Sequence, residues 1–363
     1  MPALQVFAGP LARRRLLEGG LNASDVRVIP AAAGGPKGLI LNALDRYLFG
    51  DWLVQSDHRV HLIGASIGAW RMASGCLDDP IAALRQLGDD YVEQRYDHEP
   101  GKAPTATEVS RAFGAKLAER FDHVVPTILA HPRYRLHIVT SRGRHVLARE
   151  GGLRTPLGYA GAYLSNALSR RAMGAWLERV VFSDPRDALP LAVDDYPTQG
   201  ATLSSENFSA ALLASCSIPF WLKAVHDISG APPGAYWDGG ITDYHLHLNY
   251  ASMNAKAERE PGLVLYPHFQ SSVVPGWFDK RLRSRHLASP ALTNVVLLAP
   301  HPQWVATLPN GKLPDRSDFK TYGDDIDARM RDWRIALQAG EQLADEFASL
   351  VSSGRPVVAE PLP

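Results

Sequence analysis

The stretch Val60-His61-Leu62-Ile63-Gly64-Ala65-Ser66-Ile67-Gly68 joins a strand-like run to a helix-like one. The apolar residues before the serine predict a buried strand, and the run from Ala69 to Gly75 predicts the start of a helix. A serine at such a sharp turn projects its hydroxyl outward, beside the N–H groups and the positive dipole end of the following helix. Gly64 and Gly68 remove the Cβ clashes that the turn would create. The G-x-S-x-G pentapeptide therefore makes Ser66 a candidate nucleophile.

A second strand–loop–helix unit precedes this one. Val26 to Ala33 is a short β-prone run, Gly34-Gly35-Pro36-Lys37-Gly38 follows it, and Leu39 to Phe49 has helical periodicity. This alternation predicts an α/β fold, a layered sheet of mostly parallel strands flanked by helices. In such sheets, functional sites form at the C-terminal ends of the strands, where both loops lie.

The rest of the chain continues the α/β pattern. Helices are predicted within 81–130 (with a break near 100–104), 205–215 and 326–352, where one long amphipathic helix is expected. Strands are predicted at 135–141, 180–182, 235–237, 263–266 and 294–298, and loops at 151–161 and 230–234. We find no repeat, no low-complexity segment and no domain boundary, so a single domain over residues 1–363 is expected.

Composition excludes several classes of protein. Hydrophobic residues make up 45% of the 363-residue chain, enough for a large core. Lys+Arg and Asp+Glu each total 38, so the formal net charge of +0 argues against a nucleic-acid partner. The basic spots at Arg13–Arg15 and Lys280–Arg285 are interpreted as solvated helix faces.

Targeting signals and cysteine usage indicate a compartment. The two cysteines, Cys76 and Cys216, fit a reducing environment without a disulfide framework. Met1 to Gly20 lacks the pattern of a signal peptide, and no apolar run approaches transmembrane length. We therefore expect a soluble cytoplasmic protein. Transient membrane contact and the oligomeric state stay open.

The glycine loop at 34–38 is a candidate anion site. Its glycines leave backbone N–H groups open to an anion at a helix N-terminus, and in acyl transfer that anion is the tetrahedral oxyanion. A phosphate loop is the next alternative, but the stretch matches neither the Walker pattern nor G-x-G-x-x-G. A tight turn without a binding role is the third interpretation.

Two later stretches complete the set of candidate features. In Asp238-Gly239-Gly240, which follows Tyr236-Trp237, an aspartate held at a strand end can take the proton of Ser66 directly, with no histidine between them. An ordinary Asp-Gly turn is the alternative. In Ala214-Ser215-Cys216-Ser217-Ile218-Pro219, a helical run ends in small residues that allow close packing beside a site.

These four features, in this order, resemble the patatin-like phospholipase family. Its motifs are a glycine-rich oxyanion loop (G-G-G-x-[KR]-G), a G-x-S-x-G elbow, an Ala-Ser-x-x-x-Pro segment and D-G-G/A. The resemblance covers about residues 25–245. It departs at Ala33, which replaces a glycine, and at Pro36, which has no N–H to donate. Residues 250–363 have no counterpart that we can place.

The resemblance implies a function and a set of roles. A Ser66–Asp238 dyad would cleave lipid esters of the phospholipid or lysophospholipid class through an acyl-serine intermediate. Since the sequence contains no calcium-binding motif, we expect activity without a metal ion or cofactor. Backbone N–H groups of Gly34, Gly35 and Gly38 would hold the oxyanion, and Lys37 would have a structural or orienting role. The substrate would be a lipid or another acyl ester.

Three alternatives remain at this stage. An α/β-hydrolase-type esterase or thioesterase would use a Ser-His-Asp triad with His268 or His301. His245 and His247, with Asp243 and Asp238 nearby, invite a metal site, although no known ligand spacing is matched. A non-catalytic lipid-binding scaffold would keep the fold without turnover.

Overall fold

The computed structural model describes residues 1–95, 104–256 and 262–363. In that part of the chain the strands are β1 Leu4–Ala8, β2 Val26–Ala31, β3 Val60–Ala65, β4 Tyr134–Gly143, β5 Leu177–Ser183, β6 Thr198–Thr202, β7 Val225–His226, β8 Ala235–Asp238, β9 Leu263–Pro267, β10 Val295–Pro300 and β11 Glu360–Pro361. The α-helices are α1 Pro10–Gly19, α2 Asn42–Tyr47, α3 Ile67–Gly75, α4 Pro80–Val92, α5 Ala106–Phe121, α6 Val125–Ala130, α7 Arg154–Leu168, α8 Arg170–Met173, α9 Phe208–Cys216, α10 Pro302–Val305, α11 Ser317–Tyr322, α12 Ile326–Ala339 and α13 Glu341–Ser352.

One mixed sheet organises the molecule, in the order β11-β1-β10-β9-β2-β3-β4-β5-β6. The pairs β10–β9, β9–β2, β2–β3, β3–β4, β5–β6 and β1–β11 are parallel, whereas β1–β10, β4–β5, β4–β8 and β7–β8 are antiparallel. Helices flank the sheet, so the predicted α/β layered fold is confirmed. The central strands are apolar along nearly their whole length because both faces are covered.

The C-terminal third of the chain belongs to this sheet. β9 pairs with β2 on one side and with β10 on the other, so residues beyond 262 supply strands next to the glycine loop. β1, which the sequence analysis did not predict, adds antiparallel to β10. The strand before the glycine loop is therefore the second of the chain. No helix in the described ranges combines the length and the apolar character needed to cross a bilayer.

Two element predictions were wrong. The stretch 151–161 was predicted as a loop, but residues 154–161 form the first half of α7. The glycines there serve close packing: a Cβ on Gly158 would lie 2.5 Å from Leu147 Cδ2, and one on Gly161 would lie 2.4 Å from Trp176. The long helix expected over 326–352 is divided into α12 and α13 at Gly340. There, a Cβ would lie 2.5 Å from the carbonyl oxygen of Ile40.

The elbow between β3 and α3 is held by close backbone approaches. A Cβ on Gly68 would lie 1.9 Å from the carbonyl oxygen of Ala31, and one on Gly64 would lie 2.3 Å from Ala69 Cα. Neither position has space for a side chain, so packing requires both glycines of the pentapeptide. The buried Arg71 guanidinium makes bonds of 2.6 and 2.8 Å to the Asp45 carboxylate, which ties α3 to α2.

We predict that Gly68→Ala destabilises the protein by on the order of 3 kcal/mol or more, because the added methyl cannot enter the contact with Ala31. Helix propensity alone favours alanine at this helical position by about 1 kcal/mol, so a loss of stability isolates the contact. Urea unfolding followed by circular dichroism measures the change.

The matched control is Gly200→Ala, since nothing lies within 4 Å of the Cβ it would add. That variant should stay within about 1 kcal/mol of the wild type. Equal unfolding midpoints for the two variants would show that the elbow tolerates a side chain at position 68.

Candidate active site

Ser66 has a strained backbone at the end of β3. Its φ of 55° and ψ of −130° lie outside the regions that residues with a side chain readily adopt. The Ser66 N–H donates to Ser215 Oγ at 2.9 Å, and the Ser215 hydroxyl donates in turn to the carbonyl oxygen of Val139 at 2.7 Å. Ser215, from the small-residue segment, thus links the elbow to β4 and holds it in this conformation.

Asp238 reaches Ser66 because β4 is longer than β3. The first part of β4 pairs with β3 as far as Ala65 opposite Val139, and the next residue, Thr140, lies opposite Asp238 of β8. Consecutive positions on one strand therefore place Ala65 and Asp238 side by side. The Ser66 hydroxyl donates to Asp238 Oδ2 at 2.7 Å, and both side chains are buried.

The remaining atoms of Asp238 are also held. The Gly240 N–H donates to Oδ1 at 2.7 Å, and the Asp238 N–H donates to the carbonyl oxygen of Ser217 at 2.9 Å. Gly239 has no room for a side chain, because a Cβ there would lie 2.1 Å from the carbonyl oxygen of Val139. With Oδ1 occupied by the backbone, Oδ2 is left to face Ser66.

Burial shapes the acid–base behaviour of the pair. Loss of water raises the pKa of the Asp238 carboxyl above its usual value, and the Ser66 hydroxyl, the Arg316 charge and the Gly240 N–H offset part of that shift. A carboxylate with a raised pKa is a stronger base than a solvated one. The arrangement can therefore accept a proton from Ser66.

The glycine loop lies beside this pair, although only part of it faces the cavity. The 3-10 helix Gly35–Leu41 begins directly after Gly34, so its first N–H groups lack acceptors within the helix. Ala33, Gly34 and Lys37 line the cavity with Ser66, whereas Gly35 and Gly38 are not part of its wall. Of the three predicted oxyanion donors, the structure thus brings Gly34 to the cavity.

Ala33, where the resemblance departs from glycine, is accommodated by a complementary glycine. A Cβ on Gly240 would lie 2.6 Å from Ala33 Cβ, so the methyl group of Ala33 fills the space that Gly240 leaves. The Ala33 N–H donates to the carbonyl oxygen of Tyr244 at 3.0 Å. The glycine loop and the Asp-Gly-Gly turn therefore pack against each other directly.

The cavity over Ser66 measures about 210 Å³ and carries three cations. Lys37, Lys280 and Arg316 line it, and their side-chain nitrogens make no hydrogen bond or ion pair with the described residues. Burial lowers the pKa of the Lys37 ammonium, while the Asp315 carboxylate opposes that shift and the charges of Lys312 and Arg316 add to it. The carboxylates Asp238 and Asp315 also line the cavity, so the three cations outnumber the acidic side chains there.

Lys280 is exposed at the rim, yet its ammonium lies 4.0 Å from the centre of the Tyr244 ring and 5.2 Å from that of Trp277. Desolvation there, and then the charges of Lys37 and Arg316, lower the pKa of Lys280 to about 7, while the Asp238 carboxylate opposes the shift. An anionic group in the cavity would relieve the repulsion between the three cations.

The histidines of the Ser-His-Asp triad hypothesis, His268 and His301, do not line the cavity. Among the described residues that line the cavity there is no histidine. His268 Nδ1 accepts from the Gln270 N–H at 3.0 Å, and burial lowers the pKa of His268 to about 3. His301 caps α10, where its Nδ1 accepts from the Gln303 N–H at 3.1 Å. Neither contacts Ser66.

The residues of the metal-site hypothesis each bond to other groups. Asp243 pairs with the buried Arg179 at 2.6 Å, and His245 Nδ1 accepts from the Val274 N–H at 3.0 Å. Within the described ranges, no three His, Cys, Asp or Glu side chains are grouped as a metal site would require. These residues are close in sequence, but the structure does not bring them together as ligands of one metal ion.

Sequence reasoning missed three residues at the site. Lys280 was assigned to a solvated face, and Trp277 and Arg316 lie in the part of the chain that matched no motif. The basic run at 280–285 was the one available signal. Ser215 lay inside a quoted segment, but its bridging role depends on the neighbouring strand β4 and has no signature in sequence.

Comparisons with known proteins add little to this geometry. No protein-family model matches the chain, and no curated protein matches its sequence. Among solved structures, VipD from Legionella pneumophila aligns over 91% of this chain and 67% of its own, with 10% identity and a TM-score of 0.38. Human GIVD cytosolic phospholipase A2 aligns over 94% of this chain, with 11% identity and a TM-score of 0.38, and this chain spans only 62% of its length.

We predict that Asp238→Asn gains stability relative to the wild type as the pH rises. The wild-type carboxyl has a raised pKa, so its contribution to stability is present below the unfolded value of 3.8 and is lost as the pH passes through the folded pKa. The neutral amide does not ionise. The difference in Tm should grow by about 2 °C or more between pH 4 and pH 8, measured by calorimetry.

Asp227→Asn serves as the control with the opposite sign. The Arg149 guanidinium and the Gly234 N–H lower the pKa of Asp227, so removal of that carboxylate should cost stability as the pH rises. Parallel Tm curves for the wild type and Asp238→Asn would mean that ionised Asp238 is as well solvated in the folded protein as in the unfolded one.

Proposed function

We propose that this protein is a serine acyl hydrolase that cleaves lipid esters of the phospholipid or lysophospholipid class. The observation that carries the proposal is the 2.7 Å hydrogen bond from the Ser66 hydroxyl to Asp238 Oδ2, at a strained strand-to-helix elbow. A buried carboxylate with one oxygen free for a serine hydroxyl is the arrangement that a two-residue nucleophile requires.

The first half of the reaction forms an acyl-enzyme. Ser66 Oγ attacks the ester carbonyl carbon while its proton passes to Asp238 Oδ2. The oxyanion forms beside the glycine loop, where backbone N–H groups around Gly34, with Gly35 and Gly38 as further candidates, stabilise it. The bond from carbon to the leaving oxygen then breaks, and the departing alcohol takes the proton from Asp238.

The second half reverses the proton path. A water molecule gives a proton to Asp238 as its oxygen attacks the acyl carbon, and the second tetrahedral intermediate collapses with release of the acid. Ser66 Oγ recovers the proton from Asp238. The strained backbone of Ser66 keeps Oγ at the same place throughout, because the Ser215 hydroxyl and the two flanking glycines hold the elbow.

Charge in the cavity favours an anionic ester. Lys37, Lys280 and Arg316 face the space over Ser66, and cationic side chains without local partners bind phosphate well. A phosphate next to the scissile ester would supply that anion. The resemblance of four motifs to patatin-like phospholipases supports the same substrate class.

We predict that Ser66→Ala abolishes both ester hydrolysis and covalent labelling by a fluorophosphonate probe, because the nucleophilic oxygen is gone. Asp238→Asn should lower the labelling rate on the order of 10²-fold, the usual scale for the loss of a general base. Intact mass spectrometry detects the adduct, and calorimetry verifies that each variant is folded.

Ser74→Ala is the matched control, since Ser74 is a buried serine on the same helix that does not line this cavity. It should label like the wild type. Labelling of Ser66→Ala would remove Ser66 as the nucleophile. A normal rate in Asp238→Asn, with a loss in His268→Gln, would support the triad alternative, and a folded wild type that never labels would support the lipid-binding scaffold.

We predict that the variant Lys280→Gln/Arg316→Gln loses activity on phosphate-bearing substrates selectively. kcat/KM for a lysophospholipid should fall about tenfold or more, because two charge-assisted contacts to phosphate are lost. A monoacylglycerol of the same chain length, which has no phosphate, should be affected less. Ester hydrolysis assays on the two substrates in parallel measure the ratio.

The control is Lys320→Gln, an exposed lysine on α11 outside the cavity wall. Its substrate ratio should equal that of the wild type. An equal loss on both substrates in Lys280→Gln/Arg316→Gln would show that the cations act on the dyad, through Asp238, rather than on the phosphate.

A further inference from the structure

The surface of α7 is unusual for a helix at the exterior of a protein. Leu157, Leu164 and Leu168 are 67%, 65% and 85% exposed, and with Leu153 they are spaced by four and seven residues, so they share one face. The opposite face packs inward through Gly158, Tyr159 and Ala162, with the polar residues Thr155 and Asn166 buried among them. A helix whose outward face carries four exposed leucines fits a lipid environment on that side better than water.

The loop after α9 extends this apolar surface. Phe220 and Trp221 are 60% and 56% exposed, and Phe220 has a backbone φ of 72°, a conformation costly for a residue with a side chain. The ring of Phe220 lies 5.9 Å from that of Tyr159 on α7. Strain that holds an aromatic side chain out in solvent indicates that the exposed position has a use.

The apolar surface leads to the mouth of the cavity. Ile218, two residues before Phe220, lines the cavity, as does Trp277. Trp277 stacks on Phe278 with centroids 6.4 Å apart, and Phe278 meets the ring of Tyr163 on α7 at 5.7 Å. A continuous path of apolar side chains therefore runs from α7 to the space over Ser66.

Basic residues predominate around this surface, and the carboxylates at its border, Glu150 and Asp227, are paired with Lys223 and Arg149. Residues 151–177, 215–226 and 280–292 contain no aspartate or glutamate. Arg154, Arg171, Arg281 and Arg283 are exposed, and none forms an ion pair within the described part of the chain. The segment that carries Arg281 and Arg283 packs on α7 through the bond from Asn166 to Asp279, at 2.8 Å. The chain as a whole is neutral, so this local excess is a property of the surface.

We propose that the docking face, formed by α7, Phe220–Trp221 and the arginines that border them, binds the surface of an anionic lipid bilayer. The leucines and aromatic rings enter the interfacial region, and the arginines meet the headgroup charges. The cavity mouth then opens at the level from which a lipid enters. The inference deepens the proposed function and rests on it for the identity of the substrate, but binding itself requires no turnover.

Vesicle sedimentation tests the proposal in the Ser66→Ala background, so that lipid hydrolysis does not interfere. Vesicles of phosphatidylglycerol and phosphatidylcholine are compared with vesicles of phosphatidylcholine alone. Leu157→Glu/Leu164→Glu should reduce partitioning onto the anionic vesicles at least about tenfold, since two exposed leucines that would enter the bilayer are replaced by charges that its headgroups repel. The matched control, Leu17→Glu/Val54→Glu, changes two other exposed apolar residues and should stay within about twofold.

Two further variants make the result independent of folding. If the glutamate pair has no cooperative melting transition, Leu157→Ser/Leu164→Ser replaces it, with loss of binding again expected. Arg281→Glu/Arg283→Glu should weaken binding to anionic vesicles by about tenfold and leave binding to phosphatidylcholine unchanged.

Several outcomes would overturn the inference. These are a Ser66→Ala protein that stays in the supernatant with both vesicles, α7 variants that bind like the control, and equal binding to both lipid compositions. A dimer that Leu157→Glu/Leu164→Glu converts to monomer, without vesicle binding, would assign the face to a second copy of the chain. Docking without ester hydrolysis in the wild type would leave this inference standing and contradict the proposed function alone.

Discussion

The site depends on the length of one strand, β4. β4 extends past the end of β3. Along this extension, the edge of β4 that pairs with β3 pairs instead with the antiparallel strand β8. Ala65 and Asp238 then occupy consecutive positions opposite Val139 and Thr140, which leaves Ser66 and Asp238 within a hydrogen bond of each other although 172 residues separate them in sequence. Backbone hydrogen bonding, which is regular and rigid, does the positioning.

A second constraint is the strained backbone of the elbow, which contacts with the surrounding structure stabilise. Ser66 keeps an unfavourable φ because Gly64 and Gly68 approach neighbouring backbone and because Ser215 bridges Ser66 to Val139. Asp238 is buried at the price of a raised pKa. Local backbone strain and a buried carboxylate both lower the stability of the fold, and such local losses are typical of functional sites. The large apolar sheet core around them supplies the compensation.

The outer surface and the cavity share a pattern of charge. Cations without local partners line the cavity, and arginines border the docking face outside it. Aromatic rings connect the two regions through Trp277 and Phe278. A lipid with an anionic headgroup would meet the same chemistry on the surface and over Ser66, so the proposed substrate class and the proposed docking face agree with each other physically.

Local sequence patterns determined much of the architecture. The apolar run before Ser66 predicted β3, the alternation of strands and helices predicted the α/β fold, and the glycines of G-x-S-x-G predicted an elbow. These succeed because strand burial, helix periodicity and glycine conformation act between residues close in sequence. The same reasoning failed for α7, where glycines that serve packing against Leu147 and Trp176 look like turn residues.

Only the tertiary structure decided which side chains meet. The pairing of Ser66 with Asp238, the bridge through Ser215 and the arrival of Lys280 and Arg316 at the cavity all depend on strand order and on contacts between distant segments. Sequence determined the candidates Ser66 and Asp238 by motif. Their distance, their burial and the charge around them were set by the sheet and by the loops that pack over it. The ladder of β4 and the packing of segments from six parts of the chain are long-range interactions that no local pattern encodes.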